Sequence, residues 1–185
     1  ESDVNYLIPE MIESLLKKKK ITNDSGAYVA SLNTDPKILI TKSDGSYLYL
    51  TTDLATVINR KNKNFDTVLY VVDKRQSLHF NQLFKCIDYF GYDDANFEHI
   101  AFGTINDSMG NPFKTREGGT KKLIDLFEET KYYVKDINKN LDDSTINKLA
   151  NTILTFSDLI TNRKTDYKFD LEKFTNVNGK TGIYI

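Results

Sequence analysis

At 185 residues, with 39% hydrophobic and 28% charged side chains, the chain is long enough for one domain with a substantial core. Its formal net charge of −1 argues against a surface devoted to nucleic acid, and no apolar stretch approaches the roughly 20 residues of a membrane helix. A single cysteine, Cys86, and two histidines exclude an internal disulfide and are too few for a thiolate or imidazole zinc site. We therefore expect a cytoplasmic protein with no membrane partner and no metal ligands of its own.

The first twenty residues predict an amphipathic helix, because apolar residues recur there at helical spacing. Pro9 suits a first helical turn, which leaves two starts for the regular helix, Asp3 and Pro9. Four consecutive lysines follow at 17–20. We interpret them as the solvated end of this helix, ahead of an RNA contact, because positive charge there complements the helix dipole.

Two segments then predict β-structure. AYVASL at 27–32 and KILITKSDGSYLYLT at 37–51 both have strand composition. Asp44 and Gly45 lie within the second segment as a hairpin turn signal. The second segment is therefore expected to fold back on itself.

From residue 51 the pattern alternates between helix and strand. TTDLATVINRK predicts a helix, TVLYVV at 67–72 a strand buried on both faces, 76–90 a helix that Gly91 ends, and HIAFGTI at 99–105 another strand. The resulting order of strands and helices predicts an α/β fold with a doubly wound parallel sheet.

The remainder of the chain predicts a helical extension. After Gly118 and Gly119, LIDLFEETKYYVKDI and TINKLANTILTFSDLI both have the helical period. Asp142, Asp143 or Ser144 is expected to cap the second of these helices.

Ligands of open α/β sheets bind beyond the carboxyl ends of the strands, and polar residues follow each candidate strand here. Asp53 lies at a strand-to-helix junction, where spacing alone favours a helix N-cap over an anionic recognition group. Gln76 and His79 are three residues apart and share a helix face, although a structural histidine is the commoner outcome.

A basic loop follows the last strand, with Lys114, Thr115 and Arg116 just before Gly118 and Gly119. Such a loop is able to hold a polyphosphate, and it is also a common surface turn. The residues alone leave both interpretations open.

Four segments together, YLYLTTDLA, VLYVVDKRQSLHFNQLF, HIAFGTI and NPFKTREGGTKKLIDL, resemble the second half of the catalytic domain of class I arginyl-tRNA synthetases. The resemblance implies a Rossmann-like sheet and a division into three parts. Residues 1–46 would end a connective insertion, 47–122 would form the second catalytic half with a signature loop at 111–120, and 123–185 would lead towards an anticodon-binding domain.

The resemblance also implies roles for particular residues in the binding of arginine. Tyr49, Asp53 and Gln76 match positions that contact the arginine substrate in this family, so Asp53 would bind the guanidinium group. A carboxylate suits that task because it forms two parallel charge-assisted hydrogen bonds with a planar guanidinium. His79 is assigned a supporting role only.

A second set of roles concerns ATP. FKTREG occupies the place of the family's KMSKS-type signature, which implies that Lys114, Thr115 and Arg116 act catalytically by embracing the ATP phosphates. The remaining assigned residues, which would lie along the adenosine, are His99, Phe102 and Gly103. ATP is expected as a substrate accompanied by Mg²⁺, with no tightly bound cofactor.

The implied function is that of a fragment of an ATP-dependent ligase in protein biosynthesis, whose parent joins L-arginine to its tRNA through arginyl-adenylate. The family's HIGH-type signature does not occur in these 185 residues, so we expect them to be inactive by themselves, and we expect a monomeric parent. The alternative is a truncated paralogue that acts as an arginine-binding or protein-interaction module.

Overall fold

The computed structural model describes residues 2–61, 63–106, 110, 122–168, 170–176 and 181–184. By its internal contacts the chain divides into two compact units, Glu1–Ala101 and Phe102–Ile185. The division at 46 and 122 that the resemblance implies stays a prediction. Within the described ranges, the strands form three sheets of two strands each.

The first unit begins with a 3₁₀ turn, Ser2–Leu7, and continues as helix α1, Ile8–Lys17. Pro9 lies in the first turn of α1, so the later of the two predicted starts is confirmed. The lysine run lies at the C-terminal end of α1, where Lys17 forms an ion pair with Glu13. The predicted solvated helix end is confirmed for residues 17–19, which are exposed, whereas Lys20 is half-buried and donates to the carbonyl of Tyr89 at 2.7 Å.

A hairpin of β1, Ile21–Asp24, and β2, Ala27–Ala30, follows α1 and pairs antiparallel. Its turn consists of Ser25 and Gly26, whose φ values of 55° and 90° match a two-residue turn of the kind that suits twisted strands. The sequence analysis predicted β2 and missed β1.

The predicted strand at 37–51 is wrong: its first half forms only isolated bridges, and its end belongs to a helix. The hairpin turn at Asp44 and Gly45 is present, but its flanks form only isolated bridges, such as the one between Thr41 and Tyr47. Helix α2 then begins at Tyr49 and runs as Tyr49–Lys61.

The centre of the first unit is a βαβ arrangement. Strand β3, Thr67–Asp73, leads through a 3₁₀ turn, Lys74–Gln76, into α3, Ser77–Phe90, and then into β4, Asn96–Phe102. Gly91 ends α3 with a φ of 76°, and the amide of Tyr92 donates to the carbonyl of Ile87, as predicted for a glycine-terminated helix.

The core of the first unit forms where α1, α2 and α3 face one another and the sheet. Strand β3 contributes Val68, while Leu69 and Val71 on its other face are exposed, so the predicted burial on both faces is wrong for this chain. The fully or almost fully buried apolar side chains of this cluster include Ile8, Leu15, Ile21, Ile38, Ile40, Leu54, Val57, Leu83, Cys86 and Ile87.

The second unit contains the predicted helical extension. Strand β5, Ile105–Asn106, pairs parallel with β6, Tyr167–Lys168, and the helices are α4, Leu123–Ile137, α5, Asp143–Leu159, and α6, Leu171–Phe174. Asp142 is the N-cap of α5 and accepts hydrogen bonds from the amide and hydroxyl of Thr145. The buried apolar cluster of the second unit is smaller than that of the first and comprises Val134, Ile146 and Ile153.

Candidate functional site

The start of α2 is fixed by Thr51, which is fully buried. Its hydroxyl donates to the carbonyl of Ile40 and accepts from the amide of Leu48 at 3.1 Å. This arrangement satisfies a helix-terminal amide from within the helix and ties α2 to the segment that precedes it. It also explains why the helix begins before Thr51 and not after it.

Asp53 lies inside α2 and does not cap it, so the N-cap interpretation from spacing is wrong. Tyr49 precedes Asp53 by four residues, which places both on one face of the helix. Tyr49 is 77% exposed. The first turn of α2 therefore presents a solvent-accessible aromatic ring on the same side as a carboxylate.

The carboxylate of Asp53 accepts a hydrogen bond from His79, with 2.7 Å between Oδ2 of Asp53 and Nε2 of His79. The two side chains belong to different helices, α2 and α3, and are 22% and 26% exposed, respectively. Among the described residues, this bond engages Oδ2 only. Oδ1 and the remaining lone pair of Oδ2 are left as acceptors.

Gln76 stands immediately before α3, three residues ahead of His79, and is exposed. The turn that holds it is closed by Asp73, which accepts from the amide of Arg75 at 2.8 Å and from the guanidinium of the same residue. Asp73 is thus the N-cap of the 3₁₀ turn. Tyr49 and Asp53 belong to α2, and Gln76 immediately precedes α3, the two helices that the contact between Asp53 and His79 joins.

The charge of Asp53 also acts on the sheet below it. Burial raises the pKa of the Tyr70 hydroxyl on β3, Arg60 opposes this shift, and the negative charge of Asp53 raises the pKa further. Asp53 consequently sits at a boundary, with solvent on one side and a largely apolar layer on the other.

His99 on β4 is held by the protein itself. Its Nε2 lies 3.0 Å from the carbonyl oxygen of Val72, to which it donates, and its ring lies against Phe80 with centroids 4.5 Å apart. Phe80 is buried and also meets the ring of His79 edge-on at 5.2 Å. The helical period predicts that Phe80 faces inward, and its burial is confirmed, but the period gives no sign of its contacts with two histidine rings.

The two other residues assigned to adenosine belong to the second unit. Phe102 is the last residue of β4 and is 41% exposed. Gly103 donates its amide to the carbonyl of Arg163 at 2.6 Å, and a Cβ at this position would run into the backbone carbonyl of Thr165. Close backbone packing is thus a sufficient reason for glycine here.

The three residues of the basic loop, Lys114, Thr115 and Arg116, lie outside the described residues. Within the described ranges, no group of three or more histidine, cysteine, aspartate or glutamate side chains is arranged to hold a metal ion. In the same ranges, no helix combines the length and the apolar character that crossing a membrane requires.

Comparison with known proteins identifies the family. A family model described as "tRNA synthetases class I (R), catalytic domain" matches residues 1–171. The chain belongs to the class I arginyl-tRNA synthetase family. The resemblance noted from the four sequence segments is therefore confirmed, and so is the ligase class of the family.

Curated relatives of the arginyl-tRNA synthetase family extend the match. An arginine–tRNA ligase of Francisella tularensis subsp. tularensis is 46% identical over 191 residues, which cover 100% of this chain and 33% of the relative. One from Hyphomonas neptunium is 39% identical over 205 residues, covering 100% of this chain and 35% of the relative. The chain thus spans about a third of the length of the curated relatives it matches.

Solved structures of arginyl-tRNA synthetases support the fold. The Plasmodium falciparum synthetase matches with a TM-score of 0.73 and 28% identity over 96% of this chain and 32% of its own. The Thermus thermophilus synthetase matches with a TM-score of 0.79 over 100% of this chain and 39% of its own, at 18% identity, and this likeness shows the fold alone. The predicted α/β, Rossmann-like class is confirmed.

Proposed function

We propose that this chain forms the second half of the catalytic domain of an arginine–tRNA ligase. The parent would join L-arginine to its tRNA with ATP, through arginyl-adenylate. Family membership and the names of the relatives support this function. The chain spans a third of those relatives, so the remaining parts of the reaction would come from other segments of such a protein. We further propose a monomeric parent that works in the cytoplasm.

The observation that carries the arginine assignment is the carboxylate of Asp53, which is held at Oδ2, is partly exposed and lies one helical turn from Tyr49. A guanidinium group would approach its free acceptor positions and form charge-assisted hydrogen bonds that the ammonium of lysine cannot match in geometry. The ring of Tyr49 would cover the apolar part of the substrate, and Gln76 would accept from or donate to its polar groups.

The ATP assignments rest on the family and on fewer structural observations. We propose that Lys114, Thr115 and Arg116 embrace the phosphates and that His99, Phe102 and Gly103 lie along the adenosine. Activation of this kind depends on positioning and on charges directed at the developing negative oxygens. Mg²⁺ would enter with ATP, bound by phosphate oxygens and water.

Asp53→Asn tests the arginine assignment. Arginine and its neutral isostere citrulline are titrated calorimetrically into the complete polypeptide, meaning everything encoded by the reading frame that contains residues 1–185. Because amide replaces carboxylate, arginine binding should weaken by about tenfold to a hundredfold, with little change for citrulline. Asp88→Asn, an exposed carboxylate on α3, is the matched control and should leave both affinities unchanged.

Two results would contradict the proposal. Equal binding of arginine and citrulline by the unaltered polypeptide would show that no carboxylate reads the guanidinium group. Equal effects of Asp53→Asn and Asp88→Asn would place the arginine pocket elsewhere.

The sensor or interaction alternative is not favoured, because the matching relatives are arginine–tRNA ligases. Arginine- and tRNA-dependent pyrophosphate exchange separates the two functions. The complete polypeptide should catalyse this exchange if it is a ligase, whereas residues 1–185 alone should not. Arginine binding without exchange by the complete polypeptide would restore the alternative.

A further inference from the structure

His79, the histidine that contacts Asp53, has no role yet assigned beyond a supporting one. From sequence spacing, a structural role is the commoner expectation for His79. In the structure, its Nε2 on α3 lies 2.7 Å from Oδ2 of Asp53 on α2. The pair is part-buried, with about a quarter of each side chain exposed. A partly buried carboxylate is stabilised by such a donor, so a role of His79 in binding has to be measured separately from its effect on stability.

The imidazole of His79 is itself restrained. Its ring meets the ring of Phe80 edge-on, with an interplanar angle of 83° and centroids 5.2 Å apart. Phe80 is buried and packs on its other neighbour His99, whose Nε2 bonds to the carbonyl of Val72 on β3. His79 therefore presents its N–H from a position that the core and the sheet define.

An aspartate on a helix has two side-chain torsions, and the second of them is broad and poorly restrained. A bidentate contact with guanidinium requires the plane of the carboxylate to be fixed, because both parallel hydrogen bonds must form at once. A donor from a separate helix, bound to one oxygen only, fixes that plane and leaves acceptor positions for a ligand.

We infer that His79 is a positioning residue for arginine recognition: it holds Oδ2 of Asp53 so that the carboxylate faces a guanidinium group. The inference rests on the proposed function and names the residue that gives Asp53 its selectivity. His79 acts through Asp53 and does not itself contact the ligand.

The test compares two replacements at position 79 by their effect on ligand selectivity. His79→Gln keeps an N–H donor of similar reach, whereas His79→Leu removes it. The readout is the ratio of citrulline to arginine dissociation constants, measured by calorimetry on the complete polypeptide. His79→Leu should lower this ratio about tenfold, the loss expected when one charge-assisted contact becomes disordered, and His79→Gln should keep it within about threefold.

Stability effects are separated by a matched control. Asn81→Leu introduces the same side chain at an exposed position of the same helix and should leave the ratio unchanged. If His79→Leu fails to fold, His79→Asn replaces it, because the shorter amide does not reach Oδ2. Equal ratios for the Gln and Asn variants would then overturn the inference.

The outcomes also distinguish this inference from the function on which it rests. If Asp53→Asn abolishes selectivity and His79→Leu preserves it, His79 is merely structural and the arginine assignment stands. If Asp53→Asn preserves selectivity as well, the proposed pocket is wrong. In an Asp53→Asn background His79→Leu should have no further effect on the ratio, and an additive effect would show that His79 acts independently of Asp53.

Discussion

The two units of the chain hold their functional candidates by different physical means. In the first unit, Asp53 and His79 lie on helices that pack over a large apolar cluster. The residue after Asp53, Leu54, is fully buried in this cluster. In the second unit the buried cluster is small, and backbone segments approach closely at Gly103 and Gly182. The packing of the first unit therefore depends mainly on the volume of its buried side chains. Parts of the second unit depend on glycines, which allow two backbone segments to approach closely.

The largest expected effect tests the dependence of the first unit on volume. Leu54→Ala should lower the free energy of unfolding by about 2 to 5 kcal/mol, because the cavity left beneath α2 cannot collapse fully. Urea denaturation followed by circular dichroism measures the change. Leu78→Ala, an exposed leucine on α3, is the control and should stay within about 0.5 kcal/mol of the parent. Equal losses of unfolding free energy in Leu54→Ala and Leu78→Ala would show that the first unit does not depend on buried side-chain volume at Leu54.

A change of intermediate size tests the backbone packing of the second unit. Gly103→Ala should destabilise the protein by roughly 1 to 3 kcal/mol, because its Cβ would meet the Thr165 carbonyl and force the two segments apart. Thermal unfolding and ATP binding are measured on the same sample. Full stability with weakened ATP binding would show that Gly103 is required by the nucleotide and not by packing.

The smallest effect concerns Cys86 and appears only at alkaline pH. Burial raises the pKa of its thiol to about 12, so the folded state keeps a proton that the unfolded state loses above about pH 8.5. The contribution of the protonated Cys86 thiol to the free energy of unfolding is fully present below about pH 8.5. It declines as pH rises towards 12, at most by about 1.4 kcal/mol per pH unit. Cys86→Ala should flatten the stability profile between about pH 8.5 and 10, before tyrosines titrate.

Urea midpoints at several pH values in that interval provide the measurement. A thiol-specific reagent at pH 8 should leave folded Cys86 unmodified and react on unfolding, since the residue is fully buried. Rapid modification of the folded protein would contradict the burial of Cys86. Identical stability profiles against pH for the parent protein and Cys86→Ala would contradict the assignment of the alkaline slope to Cys86.

Local signals in the sequence were sufficient for several elements. Gly91 was predicted as a terminator and Asp142 as one of three candidates for an N-cap, because both act through contacts within a few residues of themselves. The helical period placed α4 over the segment where it occurs. The hairpin turn at Gly45, with a φ of 79°, was readable for the same reason.

Tertiary contacts explain what the sequence analysis missed. YLYL alternates like a strand, but the Thr51 hydroxyl bonds to the carbonyl of Ile40 and fixes a helix start at Tyr49. Strand β1 was missed for a different reason: its composition is polar, although the turn at Ser25 and Gly26 that pairs it with β2 is local. Contact between Asp53 and His79, 26 residues apart, depends on how two helices pack, which spacing cannot reveal.

The exposed position of Tyr49 in the first turn of α2 has a spectroscopic consequence. The sequence contains 11 tyrosines and no tryptophan, so Tyr49→Trp would introduce the sole indole of the chain. Its emission, excited away from the tyrosines, would report the polarity at one point beside Asp53. A blue shift or quenching on addition of a ligand would then describe events at this helix start without a label and without tryptophan background from the rest of these 185 residues.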